Sequence, residues 1–178
     1  AHVGDDIYVS GTLGDARLAL EAFRGTVSLP EPVFRSCRDR MEKPSPRIAL
    51  GMALRGVASA AADISDGLWG DLGHVLRQSR VGAVLELEIC ERLMACGHQG
   101  SLSPDWIRTC VLSGGDDYEL VFTAPPAARQ AVHHAATSSM TPVTRIGTVT
   151  AQPNIELRDA QGQAISARFP SFDHFPQG

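Results

Sequence analysis

The sequence lacks an excess of positive charge, a long apolar run and a targeting pattern. Its 178 residues include 16 Lys and Arg against 20 Asp and Glu, and the net charge of −4 disfavours nucleic-acid binding, which usually needs a basic surface. No apolar run is long enough to cross a bilayer, and the start shows no signal-peptide pattern. We therefore expect a cytoplasmic protein that binds neither nucleic acid nor membranes.

The sequence lacks any cysteine spacing typical of a metal-binding motif or a disulfide framework. None of the four cysteines belongs to a Cys-x-x-Cys pair, and none has a histidine at zinc-finger spacing. We expect reduced, mostly buried thiols, as in cytoplasmic proteins. The four are Cys37, Cys90, Cys96 and Cys110.

The chain also lacks a starting methionine. It begins with Ala1, and a strand pattern starts almost at once, at Asp6. We expect it to be a piece of a longer protein and to form one domain over residues 1–178, because this length suffices for a substantial core. A hydrophobic content of 43% and a charged content of 20% are typical of a soluble globular protein.

Apolar residues alternate with polar ones in some segments and recur at helical spacing in others. The pattern predicts strands over 6–10, 59–64, 83–88, 119–123, 142–149, 155–158 and 164–167. It predicts helices over 15–23, 30–41, 47–58, 68–78, 90–96, 103–112 and 125–137. We expect Asp15 to cap the first helix and the strand at 59–64 to be buried. The alternation favours an α+β fold with α/β-like layers, in which helices pack on a mixed β-sheet.

The stretch 62–68 joins an apolar run to a helical pattern and concentrates polar residues at the join. It carries Asp63, Ser65, Asp66 and Gly67. Carboxylates suit Mg²⁺, and the N-terminus of the following helix suits a phosphate. The same residue types are ordinary in helix caps and turns, so this stretch alone leaves both interpretations open.

A second stretch, 112–120, has the same character. Gly114 and Gly115 precede Asp116 and Asp117, between a helical pattern and a strand pattern. Two acidic, glycine-containing junctions indicate one shared site for a metal ion and a phosphate, while caps and turns stay the alternative.

Five motifs occur in one order along the chain. They are DIYVSGTLGD (6–15), PSPR (44–47), DISDGL (63–68), SGGDDYEL (113–120) and FDHF (172–175). Together they resemble the C-terminal half of bacterial thiamine-monophosphate kinases. This family is related to aminoimidazole ribonucleotide synthetase, selenophosphate synthetase and a hydrogenase maturation protein.

The resemblance implies a kinase made of two halves. The complete enzyme would transfer the γ-phosphoryl group of ATP to thiamine monophosphate, use Mg²⁺ ions and work as a homodimer. Direct in-line transfer is expected, because no histidine or serine here stands out as a nucleophile. This chain would be the substrate- and phosphate-binding half without the N-terminal ATP-binding half, and is therefore expected to be inactive alone.

The resemblance also implies roles for individual residues. Asp63 and Asp66 match Mg²⁺ ligands, and Ser65 matches a residue that contacts ATP. Asp116 matches an acid that contacts the substrate, and Phe172 matches an aromatic residue that lies against its ring system. Position 116 is commonly Glu in the family, and the Asp here is one methylene shorter, so we expect its carboxylate to reach the substrate through a water molecule.

Two alternatives accompany this hypothesis. One is a related enzyme of the same superfamily that uses ATP to activate another small molecule. The other is a non-catalytic folded domain whose acidic residues serve only as caps and turns.

Overall fold

A mixed sheet of seven strands organises the computed structural model, which describes residues 1–97 and 102–165. The strands are β1 (Asp6–Ser10), β2 (Ala60–Ile64), β3 (Gly82–Glu86), β4 (Glu119–Ala124), β5 (Val143–Thr150), β6 (Ile155–Arg158) and β7 (Ala164–Ile165). The helices are α1 (Asp15–Phe23), α2 (Glu31–Glu42), α3 (Ile48–Ala53), α4 (Leu68–Ser79), α5 (Leu87–Glu91), α6 (Pro104–Ser113) and α7 (Arg129–Ser138). A short 3₁₀ helix, Pro126–Ala128, precedes α7.

The strands follow the order β2-β4-β1-β5-β3-β6-β7. Every neighbouring pair is antiparallel except β3 and β6, which are parallel. β1 lies between β4 and β5, and all five of its residues are buried. The predicted class, a mixed β-sheet with helices packed on it, is confirmed.

Helices cover both faces of the sheet. Side chains alternate along a strand, so Ile7 and Val9 point into one core while Tyr8 points into another. The first core contains residues of α1, α2, α4, α5 and α6. The second is smaller and contains Leu50 of α3 and Val132 of α7.

β2 differs from its prediction. Its alanine-rich sequence favoured a buried strand, but Ala61 and Asp63 are exposed, and Ala60 and Ala62 are only half-buried. The reason is position: β2 pairs only with β4 and forms an edge of the sheet among the described residues. Its exposed side is part of what makes Asp63 accessible.

Two helix predictions and one strand prediction also need correction. Asp15 does not cap α1; Gly14 occupies that position with a left-handed φ of 89°, and no side chain caps the helix. The helix predicted over 47–58 ends at Ala53, and Gly56 follows with a φ of 76°, which a right-handed helix excludes. The strand predicted over 83–88 ends at Glu86, because Leu87 and Cys90 become buried at helical spacing in α5.

The last part of the described chain forms the predicted hairpin. β6 and β7 pair antiparallel, and the N–H of Asp159 donates to the carbonyl of Gln163 at 3.1 Å across the turn. Phe172 and the rest of the aromatic tail lie outside the described residues. None of the described helices has both the length and the apolar character needed to span a bilayer.

Candidate active site

The two acidic junctions are hydrogen-bonded to each other. The backbone N–H of Asp116 donates to the carbonyl of Ser65, and that of Tyr118 donates to the carbonyl of Ile64, each at 3.0 Å. The β2–β4 ladder continues from there, with Asp63 opposite Leu120. Residues from distant parts of the sequence therefore meet at one edge of the sheet.

Gly67 permits this close approach. Its φ of 111° lies in the region that side chains disfavour, and a Cβ atom there would stand 3.0 Å from the carbonyl carbon of Ser113. Any larger residue would strain the first junction and push it away from the second.

Asp71 holds the turn that carries Ser65 and Asp66. One oxygen, Oδ2, accepts hydrogen bonds from the backbone N–H groups of both residues at 3.0 Å. Burial raises the pKa of Asp71, the two N–H groups lower it, and the charges of Asp66 and Asp63 raise it again. This carboxylate therefore fixes the backbone from which two predicted site residues project.

The hydroxyl of Tyr118 lies beside Asp116 and is affected by the charges of the other predicted acids. It is 3.5 Å from Oδ1 of Asp116, and the side chain is 44% exposed. The charge of Asp116 raises the pKa of Tyr118 most, burial comes next, and the charges of Asp63 and Asp66 raise it further. The three acids thus lie close enough to one accessible phenol to disfavour its ionisation.

The backbone of the second junction is strained at two positions. Asp116 and Tyr118 have positive φ values of 68° and 51°. Left-handed conformations cost non-glycine residues about 1–2 kcal/mol each, and such strain clusters at functional sites. It is sustained here because both N–H groups are bonded to the first junction.

A groove of about 490 Å³ opens beside Asp63. Prolines and aliphatic side chains form much of its wall, and Asp63 and Tyr118 supply polar groups. The lining includes Pro44, Pro46, Ile48 and Leu120. The groove is therefore mainly apolar at one side of the acids, which suits a flat organic ring.

A buried charge cluster lies next to the groove. The carboxylate of Glu119, with 1% of its side chain exposed, receives two hydrogen bonds from Arg47 at 2.6 and 2.7 Å and one from Arg40 at 2.9 Å. Ser10 donates a fourth at 2.6 Å. A Cβ atom on Gly11 would overlap this carboxylate, which explains the glycine at that position. Two guanidinium groups against one carboxylate leave one net positive charge beside the groove.

Asp117 lies deeper, against the start of α1. The N–H of Gly14 donates to its Oδ2 at 2.8 Å, while Oδ1 has no hydrogen-bond partner among the described residues. Burial raises the pKa of Asp117 to about 8. Burial and the charge of Asp15 both favour the neutral form of this acid.

The sequence analysis assigned no individual role to Asp71, Asp117 or Glu119. One available signal was Glu119 itself, an acid at the head of an apolar strand, where burial demands a partner. For Asp71 the signal was an acid in the first turn of α4, within reach of the preceding loop.

The donor set fits a magnesium ion. Asp63 is exposed and Asp66 half-buried, and no Arg or Lys of the described residues forms a salt bridge with Asp63 or Asp116. Mg²⁺ typically binds one or two carboxylates and completes its shell with water and phosphate oxygens. The carboxylates of Asp63, which is exposed, and of Asp66, which is half-buried, match that requirement.

Comparison with known proteins places the chain in a family. The family model "AIR synthase related protein, C-terminal domain" matches residues 2–160. The chain belongs to this family. Thiamine-monophosphate kinase of Escherichia coli K12 is 37% identical over 180 residues, which cover 98% of this chain and 54% of that protein.

Solved structures agree with this placement. Thiamine-monophosphate kinase from Stenotrophomonas maltophilia K279a superposes with a TM-score of 0.80 at 40% identity, over 93% of this chain and 52% of that one. The structure of AaThiL complexed with AMPPCP and TMP superposes with a TM-score of 0.74 at 28% identity, over 98% of this chain and 52% of that one. A HypE–HypF complex, at 17% identity and a TM-score of 0.71, shares the fold alone.

The chain spans about half the length of the curated relatives it matches. The resemblance to the C-terminal half of thiamine-monophosphate kinases is confirmed by these relatives and by the C-terminal family model. The roles of individual residues stay predictions. Within this AIR synthase related domain, the structure brings together Asp63, Ser65, Asp66 and Asp116.

Proposed function

We propose that the complete protein is a Mg²⁺-dependent thiamine-monophosphate kinase and that this chain is its substrate- and phosphate-binding half. The observation that carries the proposal is the bonded pair of acidic junctions, Ser65 to Asp116, in a chain whose relatives are thiamine-monophosphate kinases. The AaThiL complex with TMP and AMPPCP, an analogue of ATP, supports the two substrates.

Asp63 and Asp66 are the proposed magnesium ligands. A bound Mg²⁺ bridges phosphate oxygens and offsets their negative charge during phosphoryl transfer. Ser65, held between them, contacts ATP in this proposal. Asp71 keeps the turn in place by accepting both backbone hydrogen bonds.

The groove beside Asp63 is the proposed site of the substrate's ring system. Its apolar wall matches a heterocycle, and Asp116 offers a carboxylate to a cationic or amino-bearing ring. Since Asp116 is one methylene shorter than Glu, we propose that a water molecule completes this contact. Phe172, outside the described residues, would stack on the ring.

The transfer itself is proposed to be direct. The bond between the γ-phosphorus and the bridging oxygen of ATP breaks, a terminal phosphate oxygen of thiamine monophosphate forms the new bond, and ADP leaves. The residues of this chain position the two phosphates and hold their counter-charges, which is most of what such a reaction asks of a protein.

The remaining half of the protein is proposed to cover the groove. Ile48 and Met52 of α3 are 68% and 64% exposed, and Ile48 also lines the groove. Exposed apolar side chains next to a polar site are typical of a surface that another part of the protein contacts. We propose a cytoplasmic homodimer for the complete protein; the four cysteines, all buried and unpaired, fit a reducing compartment.

The deciding experiment assays the complete protein with ATP, Mg²⁺ and thiamine monophosphate and measures thiamine diphosphate. Thiamine and other monophosphates serve as comparison acceptors. We expect thiamine monophosphate to be strongly preferred; if it is inert, the proposal fails. The 178-residue chain alone is expected to give no product, and Mg²⁺-dependent product from it would contradict the division into two halves.

A further inference from the structure

Away from the acidic junctions, two thiols and a carboxylate meet in the core. One ligand atom each of Asp15, Cys37 and Cys96 lies within 4.8 Å of the other two. Asp15 begins α1, Cys37 lies in α2, and Cys96 follows α5, so three separate segments converge. No side chain of the three belongs to a residue more than 2% exposed.

The carboxylate of Asp15 is held in a fixed orientation. The backbone N–H of Cys96 donates to Oδ1 at 2.9 Å, and the hydroxyl of Thr12 donates to Oδ2 at 3.2 Å. Each carboxylate oxygen has a further lone pair beyond these bonds. Hydrogen bonds of this kind orient the ligands of protein metal sites.

The two sulfur atoms lie within 4.8 Å of each other and of a carboxylate oxygen of Asp15. Thiolates select soft or borderline cations such as Zn²⁺, whereas Mg²⁺ prefers an all-oxygen shell. A carboxylate oxygen lies within 4.8 Å of both sulfur atoms. This arrangement favours a metal site over a disulfide, because a disulfide does not involve the carboxylate.

We propose that Asp15, Cys37 and Cys96 form a binding site for a thiophilic divalent cation of the zinc class. Two sulfur atoms and one carboxylate oxygen are the ligands, and the thiol protons are released on binding. The site ties α1, α2 and the segment after α5 together, independently of the kinase reaction. The site cannot be recognised in the sequence, because its three ligands are far apart along the chain and form no local motif.

Cadmium is the probe, because its thiolate complexes absorb in the ultraviolet. The reduced, metal-stripped complete protein is titrated with Cd²⁺, and we expect a sulfur-to-cadmium band that saturates. Cys37→Ala and Cys96→Ala should abolish this band, and Asp15→Asn, which keeps an acceptor for the N–H of Cys96, should weaken cadmium affinity by at least about tenfold. Cys90→Ala, a buried thiol outside the group, is the matched control and should leave it unchanged.

Zn²⁺ provides a measurement that does not depend on the folding of variants. It should raise the thermal unfolding midpoint of the unsubstituted protein. The proposal is overturned if the unsubstituted protein shows no band, or if Cys37→Ala retains it. It is equally overturned if oxidised glutathione links Cys37 to Cys96 while the reduced protein takes up no metal.

Discussion

The backbone N–H of Asp116 donates to the carbonyl of Ser65 at 3.0 Å, and this bond joins the two acidic stretches of the chain. Each stretch alone resembles an ordinary turn before or after a helix. When the two stretches are joined, their accessible carboxylates lie together at the β2 edge of the sheet, beside the groove. Substitutions in either stretch are therefore expected to affect the same reaction.

Replacing either proposed magnesium ligand should abolish most of the activity. Asp63→Asn and Asp66→Asn keep the side-chain size but remove a charge, and we expect the kinase rate of the complete protein to fall by about 100-fold or more, since a catalytic metal supplies several kcal/mol. Steady-state rates over a range of Mg²⁺ concentrations measure this. The exposed Asp105→Asn is the control and should retain full activity. Unchanged rates with an intact fold would favour a purely structural role.

Asp71 should act through the turn that it holds. Asp71→Ala removes the acceptor of two backbone hydrogen bonds, so we expect the Mg²⁺ concentration for half-maximal rate to rise by about 10–100-fold. Asp71→Asn retains an acceptor oxygen and should restore most of the loss. A magnesium requirement that is the same in all three proteins would exclude a positioning role.

Glu119 should contribute more to the free energy of unfolding than a glutamate in an exposed ion pair does. Glu119→Gln leaves Arg40 and Arg47 against a neutral amide in a buried site, and the free energy of unfolding should fall by about 3–5 kcal/mol. Glu42→Gln, in an exposed pair with Arg38, should cost at most about 1 kcal/mol. Urea unfolding of both variants makes the comparison, and equal costs would show that the buried cluster contributes little.

Asp117 should make stability depend on pH. Its pKa of about 8 in the folded state lies above the ordinary value of 3.8, so between these values the folded state keeps a proton that the unfolded state has lost. The free energy of unfolding therefore falls as pH rises through this window, by at most about 1.4 kcal/mol per pH unit.

Asp117→Asn replaces the neutral acid by a neutral amide and should flatten that slope. Urea unfolding of both proteins near neutral pH and at mildly acidic pH measures the difference between their slopes. The contribution of other titrating groups cancels in this difference. Parallel stability curves would show that Asp117 is ionised in the folded state.

Local patterns predicted most elements of the fold. β1 occupies the predicted residues, and α4 starts where Leu68 begins the helical spacing, because periodicity records which side of each element is apolar. Burial of a whole element was less predictable. The composition of β2 predicts a core strand, whereas the order of strands places it at an edge of the sheet. The position of Asp15 predicts a helix cap, whereas its carboxylate accepts a hydrogen bond from the backbone N–H of Cys96.

The sequence by itself determined the alternating layers, the motif residues Asp63, Ser65, Asp66 and Asp116, and the family resemblance. These are properties of short segments, which spacing and residue type record directly. Only the tertiary structure decided that the two junctions are hydrogen-bonded, that Asp71 and Glu119 anchor the site, and that a carboxylate and two thiols converge in the core. Such contacts depend on the order and crossing of strands and helices, and no local pattern encodes that order.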